Sequence, residues 1–161
     1  MDLEIDIDTP WPGQPDWADL ALQAAEAAAS VAPELGNQRL TASLLFTSDT
    51  EVQVLNREWR AKDKPTNVLS FPMIERADLL ALAADGPPEM LGDIALAHET
   101  CAREAAEKGV TLEQHAAHLM VHGLLHLAGY DHEISPEDAT EMEALETKAL
   151  ASMGIADPYC D

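Results

Sequence analysis

The stretch 122–132 reads HGLLHLAGYDH and places three of the chain's six histidines within eleven residues. His122 and His126 are four apart, about 400° of helical rotation at roughly 100° per residue. Both imidazoles therefore leave one face of a helix, roughly 6 Å apart along its axis, close enough to share one metal ion. Leu127 and Ala128 continue the helix, and Gly129 ends it, because glycine adopts a left-handed C-cap without steric cost. The reversal carries Tyr130 and Asp131 back past the helix end and offers His132 as a third ligand from the following turn.

Three neutral imidazoles with an open fourth position are the pattern of a catalytic zinc site; structural sites fill all four positions with protein ligands, often cysteine. The spacing H-x-x-x-H-x-x-G-x-x-H is similar to the metzincin-type protease motif, with one departure. The protease pattern has a glutamate general base after its first histidine, where this chain has Gly123. Glycine takes no proton from water, so the usual route of peptide hydrolysis is disfavoured. The metal has to acidify its own water toward a pKa of about 7, or a group from elsewhere has to help. Imidazole sites also take nickel, copper or iron, so spacing favours zinc without fixing it.

At 161 residues, 47% of them apolar, the chain is most economically one globular domain over 1–161. No apolar run is long enough for a membrane span, and the acidic start MDLEIDID lacks the layout of a signal peptide. The expectation is a cytoplasmic protein, monomeric and without a membrane partner. Cys101 reads as a small buried residue and Cys160 as a terminal one; neither suggests a disulfide framework or a zinc ligand.

The net charge is −21, with 9 basic against 30 acidic residues. That excludes nucleic-acid binding over the whole surface, since phosphate neutralisation supplies most such affinity. The basic residues are nevertheless clustered. Arg57, Arg60, Lys62 and Lys64 fall within eight residues, a patch that could accept an anion in one place.

Outward from the motif, Thr111 and Gln114 make a capping box for a helix over 112–128. His115 and His118 continue its histidine row and read as hydrogen-bonded or exposed rather than as ligands. Four segments read as strands: LEIDID at 3–8, LTASLLFT at 40–47, VLSFP at 68–72 and LGDIALA at 91–97, the last two able to pair as a hairpin. Helices are expected over 17–32 with Asp16 as N-cap, from Ser48 or Asp49 to Arg60, over 98–108 closed by Gly109, and from Ser135-Pro136 onward. Residues 73–90 read as an exposed, irregular insertion. Trp59 and Phe71, two of seven aromatics, read as core. The acids Glu137, Asp138, Glu141, Glu143 and Glu146 of the last helix read as a solvated face.

NREWRAKDKPTNVLSFP at 56–72, LGDIALAHE at 91–99 and HGLLHLAGYDH at 122–132, in that order, resemble the YbeY family, bacterial endoribonucleases that act as rRNA maturation factors. The resemblance spans about residues 40–150; the first 38 residues and 73–90 add little to it. It implies an α+β fold, a small mixed four-stranded sheet with packed helices and a metzincin-like zinc site on a helix and its following turn. It implies one Zn2+ held by His122, His126 and His132, with His122 and Arg60 serving catalysis. It also implies cleavage of single-stranded RNA, processing of the small-subunit rRNA 3′ end and ribosome quality control, with the small ribosomal subunit or its assembly factors as partners. A guanidinium suits Arg60 to a phosphate, and Arg57, Lys62 and Lys64 would follow neighbouring phosphates. No motif residue departs from the family pattern, although the acidity is unusual for an RNA enzyme. Two other readings use the same residues: a zinc peptidase, and a non-catalytic assembly factor whose metal only stiffens the fold.

Overall fold

The structure, a computed structural model, describes residues 1–130 and 135–159. The chain runs β1 (Asp2–Ile7), α1 (Trp17–Val31), a 3-10 turn (Pro33–Gly36), β2 (Leu40–Thr47), α2 (Asp49–Arg60), β3 (Val68–Pro72), α3 (Arg76–Ala81), β4 (Glu89–Ala97), α4 (His98–Lys108), α5 (Leu112–Leu127) and α6 (Pro136–Ser152). The sheet order is β1-β2-β4-β3. β1, β2 and β4 are parallel, and β3 returns antiparallel on β4 as the expected hairpin. This is the α+β, mixed four-stranded arrangement.

Alternation along the strands sorts side chains onto two faces. Leu40, Ala42, Leu44 and Phe46 of β2 enter the main core with α1 and α5, and Leu45 goes to the other side. There α2 covers a smaller cluster of Val52, Leu69, Ala95 and Ala97. In β4, Leu91, Ile94 and Leu96 all belong to the main core, which strict alternation forbids. A bulge resolves this: Thr41 pairs with Met90 and Ala42 with Gly92, so Leu91 is the extra residue. Gly92 sits at φ +155, and a Cβ there would lie 2.4 Å from the Phe71 carbonyl oxygen.

Capping follows the sequence closely. Asp16, Ser48, Thr111 and Ser135 each accept a backbone N–H at the start of their helix. α4 has no cap of its own; Asp49 of α2 supplies one, taking the Thr100 N–H at 2.9 Å and its hydroxyl at 2.8 Å. Cys101 is buried, as expected, and burial followed by the nearby Glu104 charge pushes its thiol up to about 12. Cys160 lies outside the described residues.

Two expectations need correcting. Residues 73–90 are only partly irregular: 76–81 form α3, whose Leu79 is buried in the main core. Trp59 is 71% exposed, whereas Phe71 is half-buried and packs against the smaller cluster. Apolar helix spacing marks Trp59 as a core residue, but α2 packs on this side of the sheet through Val52 and Leu55 and leaves Trp59 exposed.

Gly92→Ala is expected to destabilise the metal-free protein by about 2 kcal/mol or more, through the clash with β3 and the unfavourable φ. Urea unfolding monitored by circular dichroism measures it; an unchanged midpoint would contradict the bulge geometry.

Candidate active site

α5 is phased by its ends and its core face. Thr111 accepts the Gln114 N–H at 3.1 Å, and the Gln114 side chain accepts the Thr111 N–H at 3.1 Å. Met120, Leu124 and Leu127 are buried on the other side of the helix. What remains is the histidine row. His115, His118, His122 and His126 all line one cleft of about 420 Å³, together with Arg60, Asn67, Ser70, Lys108 and Tyr159.

The Nδ1 atoms of His122 and His126 are both engaged from behind. His122 Nδ1 pairs with Glu146 Oε1 of α6, and His126 Nδ1 lies 2.5 Å from Ser70 Oγ of β3. Glu146 is fully buried, and burial alone would raise its carboxyl. The nearby His118 and hydrogen bonds with His122 and Tyr159 reverse that and hold it at about 2. An ionised carboxylate only accepts, so the proton between them belongs to His122 Nδ1 and the ring's lone pair is on Nε2. Ser70 can accept in the same sense from His126. Histidines that bind metals have this arrangement, the second nitrogen donating to a carboxylate or another oxygen. Two imidazoles presenting Nε2 are a donor set that zinc takes well. Among the described residues no third His, Cys, Asp or Glu joins them, and His132, the expected third ligand, lies outside those residues.

Gly123 has a packing reason to be glycine. A Cβ there would stand 3.0 Å from Ile94 Cδ1 of β4, so the position faces the core. With glycine here, the carboxylate of the protease pattern is missing.

Arg60 is the final residue of α2, exposed, and reaches the cleft. Its position is set by the helix end: Ala61 takes a left-handed conformation at φ 58, Lys62 N–H bonds to Asn56 O, and buried Asn56 donates through Nδ2 to Lys64 O at 2.9 Å. Arg57, Lys62 and Lys64 are exposed beside it and do not line the cleft; Arg57 lies 3.8 Å from Asp63. Lys108, the last residue of α4, does line it, although nothing in the local sequence sets that lysine apart.

Glu146 corrects the reading of α6 as carrying only solvated acids. The signal was present: Met142, Glu146, Ala149 and Leu150 fall on one helical face, and all four are buried. His115 and His118 are buried as well, with partners. His115 Nε2 donates to Glu104 Oε1 at 2.8 Å, and Asn67 Nδ2 donates to the same oxygen at 2.9 Å. His118 Nε2 donates to the Tyr159 hydroxyl at 3.1 Å.

The turn after α5 is clamped by Arg76 of α3. Its Nη1 donates to Ala128 O at 2.7 Å, its guanidinium carbon stands 4.4 Å over the Tyr130 ring, and Glu34 lies 3.1 Å away. Gly129 at φ +100 leaves no room for a Cβ against Arg76. The segment read as an insertion thus braces the turn that leaves the motif helix.

Comparison with known proteins agrees with the motifs. The family model described as Endoribonuclease YbeY matches residues 12–154. The chain belongs to the YbeY endoribonuclease family. Among YbeY relatives, the protein named Endoribonuclease YbeY from Novosphingobium aromaticivorans is 64% identical over 158 residues, covering 98% of this chain and 95% of that one. Its namesake in Erythrobacter litoralis is 63% identical and covers 100% and 99%. The YbeY fold is also matched by a Thermotoga maritima protein with a known solution structure, at TM-score 0.57, 24% identity and 99% coverage of both chains.

Two outcomes follow for this YbeY-family site. Burial lowers the pKa of His115 from its ordinary 6.5 against the pull of Glu104, favouring the neutral ring. The stability His115 contributes is therefore present above pH 6.5 and lost as pH falls below it. Between about pH 7.5 and 5.5 the metal-free protein should lose more stability than its His115→Gln variant, measured by urea unfolding; equal losses would contradict the burial argument. Arg76→Ala should speed amide exchange at Tyr130 about tenfold, for loss of a charged hydrogen bond near 1.5 kcal/mol. Amides of α1 should be unaffected, and an unchanged Tyr130 rate would remove the clamp.

Proposed function

We propose that this protein is a zinc-dependent endoribonuclease that cuts single-stranded RNA during rRNA maturation, at the small-subunit 3′ end, and in ribosome quality control. The observation that supports it most is the cleft itself. It joins two imidazoles presenting Nε2 to an exposed guanidinium and an ammonium, Arg60 and Lys108, on a body of net charge −21. Membership of the YbeY family supplies the substrate class. Partners in this reading are rRNA and the small ribosomal subunit or its assembly factors. Among the described residues no helix is long and apolar enough to cross a membrane.

His122, His126 and His132 would hold the ion. Zinc bound there supplies a water acidified toward neutral pH and a charge that polarises a phosphoryl oxygen. The chain does the rest. Arg60 donates in a planar fork to the phosphate oxygens and holds the phosphodiester in the cleft. Lys108, which also lines the cleft, adds a second positive charge for a neighbouring phosphate. Arg57, Lys62 and Lys64 lie beside the Arg60 end and extend the path followed by the strand. Glu146 and Ser70 hold the two ligand rings in place, and the acidic remainder repels nucleic acid everywhere else.

Gly123 counts against the peptidase reading, because the residue after the first motif histidine carries no carboxylate to act as general base. Arg60→Ala is expected to lower turnover of single-stranded RNA at least a hundredfold, on the scale of losing one transition-state charge contact, with zinc content and unfolding midpoint unchanged. Full activity, or loss of zinc with the arginine, would contradict its role. The same assay with a chelator and with an unfolded protein substrate separates the alternatives. Protein cleavage would favour a peptidase; cleavage of neither substrate would favour an assembly factor.

A further inference from the structure

The C-terminal segment beyond α6 has no assigned part in the site, yet it reaches the cleft. Tyr159 donates its hydroxyl to Glu146 Oε2 at 2.5 Å and accepts from His118 Nε2 at 3.1 Å. Its ring stands edge-on to His118, with centroids 5.4 Å apart at 90°. The segment is tied to α6 as well. Asp157 Oδ1 accepts the Tyr159 N–H at 2.8 Å and the Thr147 hydroxyl at 3.2 Å, and Thr147 directly follows Glu146.

We infer that Tyr159 is a positioning residue for the metal site, acting through Glu146 on His122. This rests on the zinc reading above and adds a chain of contacts to it. A carboxylate without solvent exposure needs a donor on each oxygen. His122 serves Oε1 and Tyr159 serves Oε2, with His118 3.9 Å from Oε1. The tyrosine therefore fixes the carboxylate's rotation. A fixed carboxylate holds the His122 proton on Nδ1 and keeps Nε2 turned to the cleft. A tyrosine kept only for packing would need no hydroxyl there. This one is directed at the acid that orients His122, from a segment anchored one residue along the same helix.

Partners of this kind change metal affinity by about ten- to a hundredfold when removed. The test uses the full chain with Tyr159→Phe, which keeps the ring and deletes one oxygen. Zinc affinity is read by competition with a chromophoric chelator. The His122 tautomer is read by long-range nitrogen–proton correlation NMR of the metal-free protein, and unfolding of that form controls for the fold. The expected result is zinc affinity lowered about tenfold, a shift of His122 from the Nδ1–H toward the Nε2–H tautomer, and an intact metal-free fold. Wild-type affinity and tautomer in Tyr159→Phe would overturn the inference and leave the zinc reading standing. If wild-type protein binds no zinc, the reading beneath it fails as well. Should Tyr159→Phe not fold, Glu146→Gln, of the same size and without charge, is read by the same two measurements, and unchanged values there overturn the inference equally.

Discussion

A carboxylate buried in a helical layer is tolerated only when donors surround it, and Glu146 meets that condition through His122 and Tyr159. The rest of the site follows. Because the acid is ionised it must accept, so His122 presents Nε2 forward. Because α5 repeats every 3.6 residues, His126 stands on the same face one turn later, with Ser70 of β3 behind it. The sheet edge, the motif helix and the last helix thus meet at one place, each contributing a group that the others cannot supply.

Much of this was legible in the sequence because it is local. Asp16, Ser48, Thr111 and Ser135 are cap residues within a few positions of the N–H groups they serve, and all four cap as read. The four strands and their hairpin follow from alternation and from Pro and Gly punctuation. The His122–His126 pair is a statement of helical period. What the sequence did not reveal depends on neighbours far along the chain. Glu146 shares a helical face with Met142, Ala149 and Leu150, but only the packing of α5 and the C-terminal segment shows that His122 and Tyr159 are there to satisfy it. Arg76 becomes a clamp only when α3 is set beside the turn after α5. Trp59 has the spacing of a core residue, and only the packing of α2 through Val52 and Leu55 shows that Trp59 stays exposed. The β4 bulge hides within LGDIALA, although Gly92 marks its place.

The charge distribution fits the geometry. A body at −21 discourages contact with nucleic acid, while Arg60 and Lys108 stand at the cleft from the ends of two different helices. At both positions the helix C-terminus favours a cation, so the fold gathers positive charge where the histidine row opens. In the proposed reading, affinity concentrated in this way would select a single-stranded segment that enters the cleft over a duplex that needs a broad basic face.

Anomalous scattering at the zinc edge, from crystals of the metal-loaded protein, tests the central claim most directly. The account requires one peak about 2.0–2.1 Å from Nε2 of both His122 and His126, with His132 completing the protein ligands and a side left open to the Arg60 cleft. A peak bound through Nδ1, a peak elsewhere in the molecule, or no peak at all would contradict it.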